Sequence, residues 1–110
     1  PIGTVITKRA ASQVGSMLVT TVDTGYSGRA RVAGYRVAGK SGTAQIAGQG
    51  GYTKDYNHSF IGFAPAQDPK FVMLVKFEKP TAAYAESTAA PVFGDLSKFL
   101  LEYFQVPPER

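Results

Sequence analysis

At 110 residues, 44% of them hydrophobic and 18% charged, the chain has material for one hydrophobic core and too little for two. The absence of cysteine excludes disulfides and thiolate metal sites, and a single histidine, His58, argues against a zinc centre built from protein ligands. The net charge of +4 is concentrated: between Thr24 and Lys54 lie Arg29, Arg31, Arg36, Lys40 and Lys54 with no Asp or Glu, a segment that attracts anions either as a plain solvated face or as a binding site.

From Lys8 to Val22 the apolar residues Val14, Met17, Leu18 and Val22 fall at helical spacing, with Thr7 as N-cap and Asp23-Thr24-Gly25 as the stop. Residues Arg29 to Ile46 alternate like a strand, interrupted by Gly39 and Gly42, and Gly48 to Gly51 ends the run. His58 to Ala64 predicts a second strand, with Phe60 and Ala64 on one face, Ile61 and Phe63 on the other, and both faces covered. A turn at Pro65-Ala66-Gln67-Asp68-Pro69 leads into Phe71 to Val75, a third strand apolar on both faces, so the pair reads as an antiparallel hairpin. After a loop through Pro80 comes a helix with Pro91 in its first turn, a buried stripe of Val92, Leu96, Phe99, Leu100 and Tyr103, and Asp95, Lys98 and Glu102 on the wet side.

The expected fold is therefore α+β: one unit over residues 1–110, a three-stranded antiparallel sheet with an N-terminal and a C-terminal helix. A strand apolar on both faces belongs inside a sheet, yet three strands in sequence order leave Phe71 to Phe77 at an open edge. Partner strands are expected upstream or on a second chain. The opening Pro1-Ile2-Gly3 is read as a cut, with the rest of a larger domain, and any membrane anchor, ahead of it. Within the chain the longest purely apolar stretch, Phe71 to Val75, falls far short of the roughly 20 residues needed to cross a bilayer.

Two motifs claim the same residues. Gly34 to Ser41 satisfies the P-loop pattern G-x-x-x-x-G-K-[ST], but phosphate binding needs a loop there and a helix starting at the Lys-Ser pair. Arg31 to Ala38 instead alternates, Gly42 follows Ser41 at once, and the apolar run Phe71 to Val75 continues into Lys76 rather than a magnesium-binding Asp. The second reading is Lys40-Ser41-Gly42-Thr43-Ala44-Gln45 as a strand lining an acyl-transfer site, with Lys-Ser-Gly a variant of the K-T-G signature that keeps the hydroxyl. Lys40 supplies positive potential, Ser41 and Thr43 supply hydroxyls for a carboxylate, and Gly42 clears the strand edge for an extended peptide.

The stretch Ala33 to Gln45, followed by His58 to Ala66, Asp68 to Phe71 and Ala89 to Phe93, resembles class B penicillin-binding proteins along essentially the whole chain, most closely the division-type and elongation-type transpeptidases. The resemblance implies the C-terminal segment, residues 1–110, of the transpeptidase domain of a serine D,D-transpeptidase, with strands and the catalytic helix upstream; such an enzyme cross-links peptidoglycan stem peptides ending in D-Ala-D-Ala and is acylated by β-lactams, without metal, cofactor or nucleic acid. It implies the Thr43 backbone N–H as half of an oxyanion hole, Lys40 beside the serine of the second family motif, and Lys40, Ser41, Gly42 and Thr43 as substrate contacts. It also implies the outer face of a bacterial cytoplasmic membrane.

The family's nucleophile motif S-x-x-K is missing. Ser12, Ser16, Ser27, Ser41, Ser59, Ser87 and Ser97 are followed three residues on by Gly15, Val19, Ala30, Ala44, Gly62, Ala90 and Leu100. The S-x-N motif is missing too, since the single asparagine is Asn57 and residue 55 is aspartate. The segment alone is expected to be inactive. His58 reads as a surface residue at a strand start, and Tyr52 and Tyr56 flank a glycine-rich loop. Two alternatives stand beside the enzyme reading: a non-catalytic substrate-binding or scaffold module, and a nucleotide-binding or polyanion-binding module suggested by the P-loop match and the pI near 9.5.

Overall fold

Thr7 starts the first helix: its backbone is extended and its hydroxyl accepts from the Ala10 N–H at 3.1 Å. The computed structural model describes residues 1–110 as α1 (Lys8–Asp23), a 3-10 turn (Gly28–Ala30), β1 (Ala38–Gly48), β2 (Gly51–Ala64), β3 (Phe71–Glu78), a second 3-10 turn (Ala85–Ser87) and α2 (Ala89–Tyr103). The strands form one antiparallel sheet in the order β1-β2-β3. This is the expected α+β arrangement.

The strand expected from Arg29 begins only at Ala38. Residues 29–37 alternate in burial for a different reason. Ala30, Val32 and Val37 sit in the core, while the backbone is held by the chain's last residues: Glu109 and Arg110 N–H groups donate to Gly34 O at 2.7 and 3.1 Å, and the Tyr35 hydroxyl donates to Val106 O at 2.7 Å. Gly34 sits at φ +87°, which breaks any ladder there. The second strand is longer than expected, starting at Gly51, so β1 and β2 make a long hairpin whose distal part outruns β3, which pairs only with residues 57–64.

One face of the sheet is sealed by α2. His58, Phe60, Gly62 and Ala64 are buried on it, and the Phe60 and Phe93 rings meet at 4.6 Å, tilted by 47°. The expectation that both faces of β2 are covered does not hold. Helix α1 packs mainly along β1 and meets β2 at Phe63, against Gly15, leaving Ile61, Val72 and Leu74 more than half exposed.

The buried stripe of α2 also differs from the expected one. Ala90, Phe93, Gly94, Ser97 and Leu101 face the core, while Leu96, Phe99 and Tyr103 face solvent, alongside Asp95, Lys98 and Glu102. Small residues decide this. Gly94 lies so close to the first 3-10 turn that a Cβ there would stand 2.9 Å from Arg29 O, an approach no face carrying Leu96 or Phe99 permits.

Candidate functional site

Lys40, Ser41, Gly42 and Thr43 lie in β1, an edge strand whose second side has no partner. Because Ser41 is followed by seven more residues of strand, up to Gly48, there is neither a phosphate-wrapping loop nor a helix at the Lys-Ser pair, and the P-loop reading fails.

Strand periodicity fixes which backbone groups are free. Ala66 N–H donates to Arg36 O on the β2 side, whereas Gly39 O is turned the other way and accepts from the Thr21 hydroxyl of α1 at 2.5 Å. Within a strand, the N–H and C=O of one residue point to one side and those of the next to the other. The even-numbered residues 38 to 44 therefore address β2, and Ser41 and Thr43 present N–H and C=O at the open edge. Lys40 Nζ, donating to Ser41 O at 2.8 Å, reaches that same edge.

Lys40 carries an unneutralised charge. The ion pairs of the chain are Lys70–Asp68, Lys76–Glu78, Lys79–Asp55 and Arg110–Asp23, and none involves it. Its ammonium lies 3.4 Å from the Ser41 hydroxyl. The Thr43 hydroxyl accepts from Ala85 N–H at 3.2 Å and keeps its own proton to donate. Gly42 faces Ser59, its register partner, and a Cβ on it would stand 2.7 Å from Ser59 Oγ. Its missing side chain thus relieves the sheet as well as clearing the edge.

These groups make an electropositive strand edge with two outward amides and two hydroxyls. Such an edge can pair with an extended peptide, hold its carboxylate and place a hydrogen-bond donor where an acyl oxygen gains charge. No serine of the chain heads an S-x-x-K motif, and no three His, Asp or Glu side chains gather as metal ligands. A cleft of about 1050 Å³ lies elsewhere, between α1 and the β2–β3 turn, with Lys8, Gly15, Phe63, Phe71 and Arg110 among its walls.

His58 is a correction. It is fully buried in the middle of β2, directly opposite Thr43, with Nδ1 hydrogen-bonded to Thr88 Oγ1 at 2.9 Å and Nε2 without a partner. Nothing in the sequence marks Thr88, which bonds to His58 of β2 from 30 residues away, or Ala85, which bonds to Thr43 of β1 from 42 residues away. Tyr52 and Tyr56 are exposed on the distal hairpin.

The last residues tie down the end of α1. Arg110 makes a two-pronged pair with Asp23, at 2.8 and 2.6 Å, and also donates to Tyr35 O at 3.1 Å. Hydrogen bonding to this guanidinium holds the Asp23 carboxyl below its usual value against a partly opposing desolvation, with Arg31 and Arg36 adding to the effect.

The same arrangement of strands and helices recurs within solved, larger transpeptidase domains. The transpeptidase domain of Burkholderia pseudomallei penicillin-binding protein 3 superposes with a TM-score of 0.83 at 38% identity, over 93% of this chain and 32% of its own. Penicillin-binding protein 3 of Mycobacterium tuberculosis, solved in complex with ampicillin, gives 0.81 at 30% identity over 94% of this chain and 26% of its own. The penicillin binding protein transpeptidase domain family matches residues 2–98, and the chain belongs to that family. It is 42% identical over 104 residues to a probable peptidoglycan D,D-transpeptidase, PbpC, of Pseudomonas aeruginosa, and 39% identical over 110 residues to stage V sporulation protein D of Bacillus subtilis. These alignments take in 91% and 96% of this chain but only 18% and 17% of those relatives, so it spans under a fifth of their length.

Proposed function

We propose that this chain is the substrate-binding wall of a serine D,D-transpeptidase that cross-links peptidoglycan and is acylated by β-lactams. The observation that carries the reading is the open edge of β1, with its outward Thr43 N–H beside the unneutralised Lys40. The stem peptide lies along that edge as an added strand. Ser41 and Thr43 hold its terminal carboxylate, and Lys40 lowers the energy of negative charge in the site. A serine outside residues 1–110 attacks the penultimate D-Ala carbonyl, the terminal D-Ala leaves, and an amine of a neighbouring stem takes the acyl group. Thr43 N–H receives the oxyanion in both steps, a donor worth about 2.7–4 kcal/mol of barrier. A penicillin follows the same path as far as the acyl-enzyme.

Three unpartnered surfaces support completion by the rest of a transpeptidase domain: the outer edge of β3, the exposed Ile61, Val72 and Leu74, and the α2 residues Leu96, Phe99 and Tyr103. No helix of the chain is long and apolar enough to cross a membrane; anchoring, and a place on the outer face of the bacterial cytoplasmic membrane, belong to the remainder of the protein. The test is labelling of the full-length protein by fluorescent penicillin. Covalent labelling that falls about 100-fold or more in rate in Lys40→Ala supports the reading. Undiminished labelling in that variant contradicts it and favours the role of a non-catalytic scaffold for this edge.

A further inference from the structure

A strand edge is a poor place for an oxyanion donor. The Gly42 carbonyl of the Gly42–Thr43 peptide addresses β2, where Ser59 is its register partner, but the Thr43 N–H on the other end of that plane has no partner across the edge. Beyond that one-sided ladder contact, the Thr43 side chain is what can fix how the N–H is aimed. The Thr43 side chain points to the α2 side of the sheet, and there a closed ring of contacts begins. Its hydroxyl accepts from Ala85 N–H at 3.2 Å, Thr88 N–H donates to Ala85 O at 3.2 Å, Thr88 Oγ1 is hydrogen-bonded to His58 Nδ1 at 2.9 Å, and His58 returns to Thr43 as its direct cross-strand partner.

His58 is 0% exposed and uses only one of its ring nitrogens, Nε2 being buried without a partner. An apolar side chain would fill that place without burying an unpaired polar atom. What an apolar side chain cannot do is grip Thr88, the residue at which the Ala85–Ser87 turn enters α2. We infer that His58 is a positioning residue for the oxyanion donor: through Thr88 it locks the turn whose Ala85 N–H pins the Thr43 hydroxyl, and so aims the Thr43 N–H. His58 touches neither substrate nor reacting atoms. The inference rests on the transpeptidase reading, since only there does the Thr43 N–H have an oxyanion to meet.

Penicillin acylation of the full-length protein tests it, with the saturating acylation rate and the half-saturating concentration measured separately and the melting temperature of each variant alongside. His58→Phe, which fills the space without the bond, and Thr88→Val, which removes it from the other side, lower the acylation rate about tenfold while half-saturation moves less than about twofold. His58→Asn, whose amide reaches the position of Nδ1, recovers most of the rate, and the double variant His58→Phe with Thr88→Val is no slower than either single one. A melting temperature that falls while the acylation rate stays at the wild-type value, or a rate not rescued by His58→Asn in a variant that melts like wild type, overturns the inference. Absence of any labelling of the wild-type protein overturns the transpeptidase reading and this inference with it; acylation of His58→Phe at the wild-type rate overturns this inference alone.

Discussion

Among single residues, some charges are free to act on a ligand and others act on the fold. Lys40 has no carboxylate near it, and its field is available to whatever approaches β1. Asp23 and Arg110 are the reverse case, spending their charges on one another to fasten the chain's end to α1. The Asp23 carboxyl is held below its usual value by that guanidinium, so the pair's contribution is fully present above about pH 4 and is lost as pH falls through the lowered folded value. With side-chain exposures of 24% and 38%, solvent screens the pair, and its loss costs only about 0.5–1 kcal/mol. Asp23→Asn is therefore expected to lower the melting temperature of the full domain slightly at pH 7, with the difference from wild type shrinking as the pH falls below about 4. Thermal unfolding followed across pH checks both.

At the scale of elements, α2 is held by a close approach that depends on the size of the residues facing the core. Gly94→Val is expected to cost more stability than Phe99→Ala, although Phe99 is much the larger residue, because a Cβ at position 94 meets the Arg29–Ala30 backbone while the Phe99 ring is 60% exposed. Phe93→Ala, which empties the space against Phe60, is expected to cost about 3–5 kcal/mol. Denaturant unfolding of the three variants ranks them.

The same helix explains what the sequence did and did not disclose. The start of α1 was legible because Thr7 caps it within four residues, and the β2–β3 hairpin because its turn chemistry is local. Periodicity in α2 offers two apolar stripes, and the richer one, Leu96, Phe99 and Tyr103, is the exposed one; Gly94 and Ala90 chose the other through contacts that periodicity does not encode. The alternation at residues 29–37 was real but came from a loop clamped between the core and the chain's end. For the site, Lys40 to Thr43 were legible as a contiguous motif, whereas His58 in its buried role, Ala85 and Thr88 came together only through folding.

At the scale of the whole molecule, the chain is more extended than its length requires. Its radius of gyration is 15.3 Å against about 13 Å for a self-contained domain of this size, and only 20 of 110 residues are buried. The excess comes from the projecting β1–β2 hairpin and from the uncovered side of the sheet. The 110-residue chain by itself is therefore expected to self-associate with rising concentration through the β3 edge and the Ile61–Val72–Leu74 face, as sedimentation measurements would reveal, whereas the full domain at the same concentrations stays monodisperse.

In the proposed function, Lys40 to Thr43 form one wall of an acyl-transfer site whose nucleophile lies outside residues 1–110. Mass-spectrometric mapping of the penicillin adduct on the full-length protein addresses it directly. The expected result is an acylated serine outside this segment and no adduct on the isolated chain. An adduct on Ser12, Ser16, Ser27, Ser41, Ser59, Ser87 or Ser97 would contradict it.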